Sequence, residues 1–233
     1  MANSIFKLKD GRDYDFLANE VESKSAILFH HGTPGDCTVW SSWVSGISSV
    51  RAVAASRPGY GLSSRRRGRN VASDIENNSE LLEHFGIEKF VSIGWSGGGP
   101  HALNMTRHSK NVGAITLAGV GEWGNDDLDF LAGMGPENHD EFGAALAGES
   151  AIEEWMIKNS PAFKNVTGAD LITSFGGLIG DADKKALTPA VAEEDAAAYR
   201  RALSMGYYGW QDDDLAFVQS FGFELSKIRS EEH

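Results

Sequence analysis

The run Gly94-Trp95-Ser96-Gly97-Gly98 lies between a short apolar stretch, Phe90-Val91-Ser92-Ile93, and a helix-forming stretch carrying Pro100, Ala102, Leu103 and Met105. No other feature limits the fold as much. A serine in G-x-S-x-G on a tight strand-to-helix turn has a strained backbone. A side chain at either flanking glycine would clash with the neighbouring strand and helix. Proline suits the first helical turn, where its missing N–H costs nothing. The unpaired N–H groups opening that helix point near Ser96, where negative charge on an oxygen would be stabilised. Gly97-Gly98-Gly99 is not followed by Lys-Ser or Lys-Thr, and no G-x-G-x-x-G opens a helix after a strand. Both observations argue against a phosphate-binding or dinucleotide-binding loop.

A second motif follows the apolar strand Ala26-Ile27-Leu28-Phe29: His30-His31-Gly32-Thr33-Pro34-Gly35-Asp36. Acyl transfer through a serine needs two N–H donors for the developing oxyanion. One comes from the residue after the nucleophile, here Gly97, and the other from the loop after the third strand, here Thr33. A third strand-like run, Ala52 to Ser56, ends in Arg57-Pro58-Gly59-Tyr60-Gly61-Leu62-Ser63. Together, H-G-x-P-G, S-R-P-G-Y-G-x-S and G-W-S-G-G-G-P-H-A-L resemble the α/β-hydrolase superfamily, and most of all its proline-iminopeptidase-like branch. The resemblance is tight over the first half of the chain and loose after Gly121. It implies a mostly parallel sheet flanked by helices, with a helical cap inserted after the sixth strand and Ser96 as nucleophile.

The rest of the pattern agrees with that layout. Ser4–Lys9 and Asp13–Asn19 flank Asp10-Gly11 and read as a hairpin. A helix is expected from about Val71 to Phe85, stopped by Gly86, and a sixth strand over Val112–Ala118. Strands alternating with helices imply parallel pairing with right-handed crossovers. Residues 1–121 are expected to form the hydrolase core, 122–215 the cap, and 216–233 the start of a return to the core. Within the cap, helices are expected at Asp126–Met134, Asp140–Leu146, Ile152–Lys158 and Val191–Met205. Residues 122–215 hold 19 acidic and 6 basic side chains, a net of −13 against −12 for the whole chain. This acidity reads first as a solvated helical surface. The sharper alternative is a mouth that repels anions and draws in a cationic group, such as a peptide's free amino terminus.

Composition narrows the function classes. With 233 residues, 41% of them hydrophobic, the chain can bury the core of one α/β domain with a lid. The N-terminus has no apolar signal core and no stretch is long enough to span a bilayer, so a cytoplasmic protein with no membrane partner is expected. A single cysteine, Cys37, excludes an internal disulfide framework and a zinc cluster. No cofactor or metal is expected. Arg65-Arg66-Arg67-Gly68-Arg69 has no interleaved aromatics and sits in an acidic chain, so it reads as a solvated loop rather than a nucleic-acid patch.

A serine nucleophile needs a base, and the base needs a carboxylate to orient it. The resemblance implies the order Ser, acid, His, with the acid after a seventh strand and the histidine after an eighth. Neither strand is found before His233, so a shortened chain is expected, with an impaired site and an open sheet edge prone to self-association. Glu122 is a possible alternative acid. No triad histidine is assigned. His101 should face away from Ser96, His84 and His108 lie near helix ends, His139 falls in the cap, and His233 is terminal. His30 and His31 read as structural, though their strand should neighbour that of Ser96. The expected function is hydrolysis of a small ester or amide, with peptidase-like cleavage as one form of it. The alternative is a hydrolase-derived binding or interaction protein without turnover.

Overall fold

The computed structural model describes residues 3–177 and 179–228. Its centre is a six-stranded sheet in the order β1-β2-β4-β3-β5-β6. The strands are β1 (Ser4–Lys7), β2 (Asp13–Ala18), β3 (Ser25–His30), β4 (Arg51–Ala55), β5 (Lys89–Trp95) and β6 (Asn111–Leu117). The expected hairpin joins β1 and β2, and Gly11 at its tip has φ +86°. β2 also pairs antiparallel with β4, whereas β4, β3, β5 and β6 run parallel.

Alternating side chains place two cores on the two faces of the sheet. Leu28, Val53 and Phe90 pack with Leu81, Leu82 and Met105 on one face. Phe29, Ala52 and Ala54 pack with Trp40 and Val44 on the other. The first face is covered by α2 (Asp74–His84) and α3 (Gly98–Asn104), the second by α1 (Ser41–Gly46). Among the described residues β6 pairs only with β5, and it exposes Val112, Ile115 and Leu117.

After β6 the chain is helical: α4 (Pro136–Ala147), α5 (Glu149–Phe163), α6 (Gly168–Phe175), α7 (Asp181–Ala186), α8 (Pro189–Ala202) and α9 (Tyr208–Phe217). Local chemistry sets several of these ends. Thr188 accepts from Val191 N ahead of Pro189, and Thr167 forms a capping box with Asp170. The helix expected over Asp126–Met134 does not form. That stretch is a series of single turns, closed by bonds such as Leu128 N–H to Asn125 O and Ala132 N–H to Asp129 O. The Asn125 side chain also accepts from Asp127 N, a local bond that competes with helix propagation. α5 runs on past the expected Lys158, through Pro161, while α6, α7 and α9 had no counterpart in the sequence reading. No helix among the described residues is long and apolar enough to cross a membrane.

Candidate active site

Ser96 stands immediately after β5 with φ +52°, in the left-handed region that a non-glycine residue seldom occupies. Neighbouring elements hold it there. Its N–H donates to Leu117 O at 2.9 Å, and its carbonyl accepts from Gly99 N at 2.9 Å and Val120 N at 3.3 Å. The flanking glycines are needed because the backbones nearly touch. A Cβ on Gly98 would run into the His30 carbonyl, and one on Gly99 would lie 2.7 Å from Gly119 Cα. A Cβ on Gly97 would strike the Thr33 hydroxyl, so Thr33 and Gly97 are in contact, as their places in the two motifs suggested. Neither the Thr33 nor the Gly97 N–H is bonded to another acceptor among the described residues. Ser96, Thr33 and Gly97 line a cavity of about 210 Å³, closed on its other side by Glu141 and Phe142 of α4 and Asp214 and Phe217 of α9. A larger depression of about 550 Å³, between Arg107 and Lys227, shares none of these residues.

Behind Thr33 lies a fully buried charge cluster that local sequence patterns did not reveal. Asp213 Oδ2 accepts from Thr33 Oγ1 (2.7 Å), Arg57 Nη2 (2.7 Å) and Tyr60 OH (2.9 Å). Its other oxygen meets Arg69 Nη2 at 2.6 Å. Burial alone would raise this carboxyl, but Arg57 and Arg69 outweigh it and hold Asp213 well below the usual carboxylate range. Arg57 also donates to His31 O and Gly32 O, so it braces the whole loop that presents Thr33. The basic run is therefore not a free solvated loop. Arg69 is buried against Asp213, Arg65 forks onto Asp212, and Arg66 and Arg67 pair with Glu76 and Glu149. For Arg65 and Arg69, α9 offers carboxylates, and burial with matched partners wins over solvation; the Arg66 and Arg67 pairs stay exposed.

The histidines lie elsewhere. β3 and β5 are neighbours as expected, yet His31 has both ring nitrogens engaged. Nε2 accepts from Arg57 N at 3.0 Å, so the proton sits on Nδ1, 2.7 Å from Gly32 O. His101 is buried with Nδ1 3.0 Å from Asp74, and its ring lies 6.5 Å from that of His30. Burial lowers all three below the ordinary histidine value, His30 to about 3. His84 and His139 are exposed on α2 and α4, and His108 lies past the end of α3. His233 lies outside the described residues. Among the described residues no histidine lines the Ser96 cavity. Glu122 accepts from Phe221 N (2.8 Å) and Ser220 Oγ (3.1 Å), which ties it to the last described segment and not to a base. No group of three or more possible metal ligands occurs among the described residues.

Comparison with known proteins agrees with this geometry. Residues 25–140 match the family model described as alpha/beta hydrolase fold. The chain belongs to the α/β-hydrolase superfamily. An uncharacterized hydrolase, YcgS, of Bacillus subtilis is 23% identical over 182 residues, which cover 76% of this chain and 61% of that protein. The chain thus spans about three-fifths of that relative's length. Among solved structures, an esterase from Exiguobacterium antarcticum superposes with a TM-score of 0.64 at 15% identity, covering 94% of this chain and 75% of the esterase. The enol-lactonase of Burkholderia xenovorans gives 0.60 at 12%, covering 93% of this chain and 74% of that one. At such identities the likeness shows the fold alone. In this chain that fold is a mostly parallel six-stranded sheet with helices on both faces.

Proposed function

We propose that the chain is a serine hydrolase of small esters or amides in the cytoplasm, with Ser96 as nucleophile and the N–H groups of Thr33 and Gly97 as oxyanion donors. The observation that carries this reading is Ser96 at φ +52° on the wall of a cavity, in contact with two residues whose N–H groups are unspent. Strain of this kind persists where the surroundings enforce it, and it concentrates at working sites. In the reaction, Ser96 Oγ adds to the carbonyl carbon while its proton passes through solvent water to the oxygen or nitrogen of the leaving group. The carbonyl π electrons move onto oxygen, facing Thr33 and Gly97. Collapse expels the protonated alcohol or amine, and water then releases the acyl group. The described residues up to 121 act as the core and those of 122–215 as a cap over Ser96, with 216–228 returning toward the core; the rest of the expected return, 229–233, lies outside the described residues. The proline-iminopeptidase-like motifs support an acyl group bearing an amine. The exposed β6 edge supports self-association.

That no histidine among the described residues lines the cavity favours weak turnover, and with it a second reading: a binding protein on a hydrolase scaffold. Hydrolysis of an activated aryl ester by the chain and by Ser96→Ala separates the two. The hydrolase reading expects slow release, above the water rate, that vanishes in Ser96→Ala. Release that survives Ser96→Ala refutes the assignment of the nucleophile. No release from the unchanged chain, together with saturable binding of the ester, favours the binding protein.

A further inference from the structure

Two carboxyl groups close the Ser96 cavity from opposite helices. Glu141 of α4 is 6% exposed and Asp214 of α9 is fully buried. Their surroundings differ sharply. Glu141 Oε1 accepts from Trp210 Nε1 at 2.5 Å, and Oε2 accepts from Asn138 Nδ2 at 3.2 Å. Among the described residues no donor reaches either oxygen of Asp214, and its carboxyl lies beside that of Glu141 on the wall of the same cavity. Two ionised carboxylates cannot share a contact away from water, so a proton lies between them. Glu141, with two donors, keeps the negative charge. Asp214, with none, keeps the proton and donates it to Glu141.

The other charges facing the pair do not remove the need for that proton. Asp213, next along α9, is negative, and its charge is taken up by Arg57 and Arg69. Arg69 reaches Asp214 only as a weaker attraction than the repulsion from Glu141 and Asp213. Tyr60 gives its hydroxyl proton to Asp213. On the α4 side the neighbour is the neutral Asn138, and no lysine or arginine among the described residues lines the cavity. Burial and Glu141 together raise the Asp214 carboxyl well above its ordinary value.

We infer that the Asp214–Glu141 hydrogen bond is a proton-held clasp between α4 and α9 that keeps the Ser96 cavity closed, and that loss of its single proton on the alkaline side releases α4 from α9. The stretch ahead of α4 has no regular helix or strand. It is a chain of single turns with positive φ at Gly124 and Gly133, and Gly148 follows the helix with φ +110°. α9 is the fixed side, anchored through Asp212 and Asp213 to Arg65, Arg57 and Arg69. The inference does not depend on whether Ser96 turns over a substrate.

The test is carboxyl carbon-13 resonance of the full chain across neutral to alkaline pH, with hydrogen exchange of α4 measured beside it. Asp214→Asn is the reference, because its amide donates to Glu141 in place of the proton and cannot lose it. Glu141→Gln supplies the same lock from the other side should Asp214→Asn fold poorly. At neutral pH one Asp or Glu carboxyl should still be protonated, and it should titrate on the alkaline side. The ratio of α4 exchange, unchanged chain over locked variant, should rise severalfold through that same titration. A pair already doubly ionised at neutral pH overturns the inference. So does a ratio that stays flat while the proton is lost.

Discussion

Replacing Asp213 with alanine removes the one carboxylate that Arg57, Arg69, Tyr60 and Thr33 all address. Arg57 would keep its bonds to His31 O and Gly32 O, and Arg69 its bond to Gly209 O. Both cations would nevertheless stay buried with no counter-charge in contact. Breaking a buried pair from one side costs about 3–5 kcal/mol, because the desolvated partner is left uncompensated. Whole domains are stable by only about 5–15 kcal/mol, so Asp213→Ala should lose about a fifth or more of the total. With a urea dependence of about 2–3 kcal/mol per molar, the unfolding midpoint should fall by about 1–2.5 M. Circular dichroism against urea measures it. Arg67→Ala is the internal comparison: its partner is Glu149, both groups are largely exposed, and surface pairs contribute little. Thr33 loses its carboxylate acceptor in the same variant, so exchange of the His31, Gly32, Thr33 and Gly35 amides should quicken under native conditions. A midpoint for Asp213→Ala no lower than that of Arg67→Ala would refute the claim that this cluster holds α9 and the Thr33 loop together.

Three further outcomes follow from the same structure. Gly98→Ala drives a methyl into the His30 carbonyl, so it should cost about 1–3 kcal/mol in thermal or urea unfolding. Gly143→Ala, in open space within α4, should instead stabilise by up to about 1 kcal/mol; equal effects of the two would contradict the packing at Ser96. Burial, with Glu194 beside it, raises the Asp195 carboxyl to about 6. Its contribution is full below the ordinary value of 3.8 and is lost as pH climbs to about 6, so Asp195→Asn should gain on the unchanged chain between pH 4 and 6 and then level off. Urea midpoints at several pH values check the sign, and an advantage that shrinks as pH rises would overturn it. Finally, any turnover should favour neutral or cationic acyl groups over matched anionic esters, because the cavity wall holds carboxyls and no base. Comparing kcat/KM at low salt and at about 1 M, where the Debye length is about 3 Å, separates the screened surface part from the buried part; equal rates for both charges at low salt would leave the acidity without a role.

The parts of the fold that were legible are those set by short-range chemistry. Asp10-Gly11 between two alternating runs gives the β1–β2 hairpin, and the glycines around Ser96 mark a turn where backbones meet. Thr33 and Gly97 could be placed side by side because each is fixed by its own motif at the end of a neighbouring parallel strand. The Asp126–Met134 stretch misled for the opposite reason. The Asn125 side chain bonds locally at its start, so apolar spacing did not become a helix. α9 was hidden by composition, since Trp210-Gln211-Asp212-Asp213-Asp214 shows no apolar stripe. Each acid in that helix is buried against a partner 73 to 156 positions away, and local periodicity carries no trace of such contacts.

The two charge runs become intelligible only together. Arg65 to Arg69 alone suggests a solvated loop, and Asp212 to Asp214 alone suggests a solvated helix end. Packed against each other, Arg65 meets Asp212, while Arg57 and Arg69 share Asp213. The third acid, Asp214, receives no cation in contact and turns to Glu141. Part of the negative charge between 122 and 215 is therefore consumed in docking these helices to the sheet and does not act on a ligand. What reaches the Ser96 cavity is the single net charge left on the Glu141–Asp214 pair. A buried charge in a small cavity acts at short range and through little water, so it weighs on an entering group more than many exposed carboxylates do. Selectivity at this site should accordingly follow the protonation of that pair rather than the net charge of the chain.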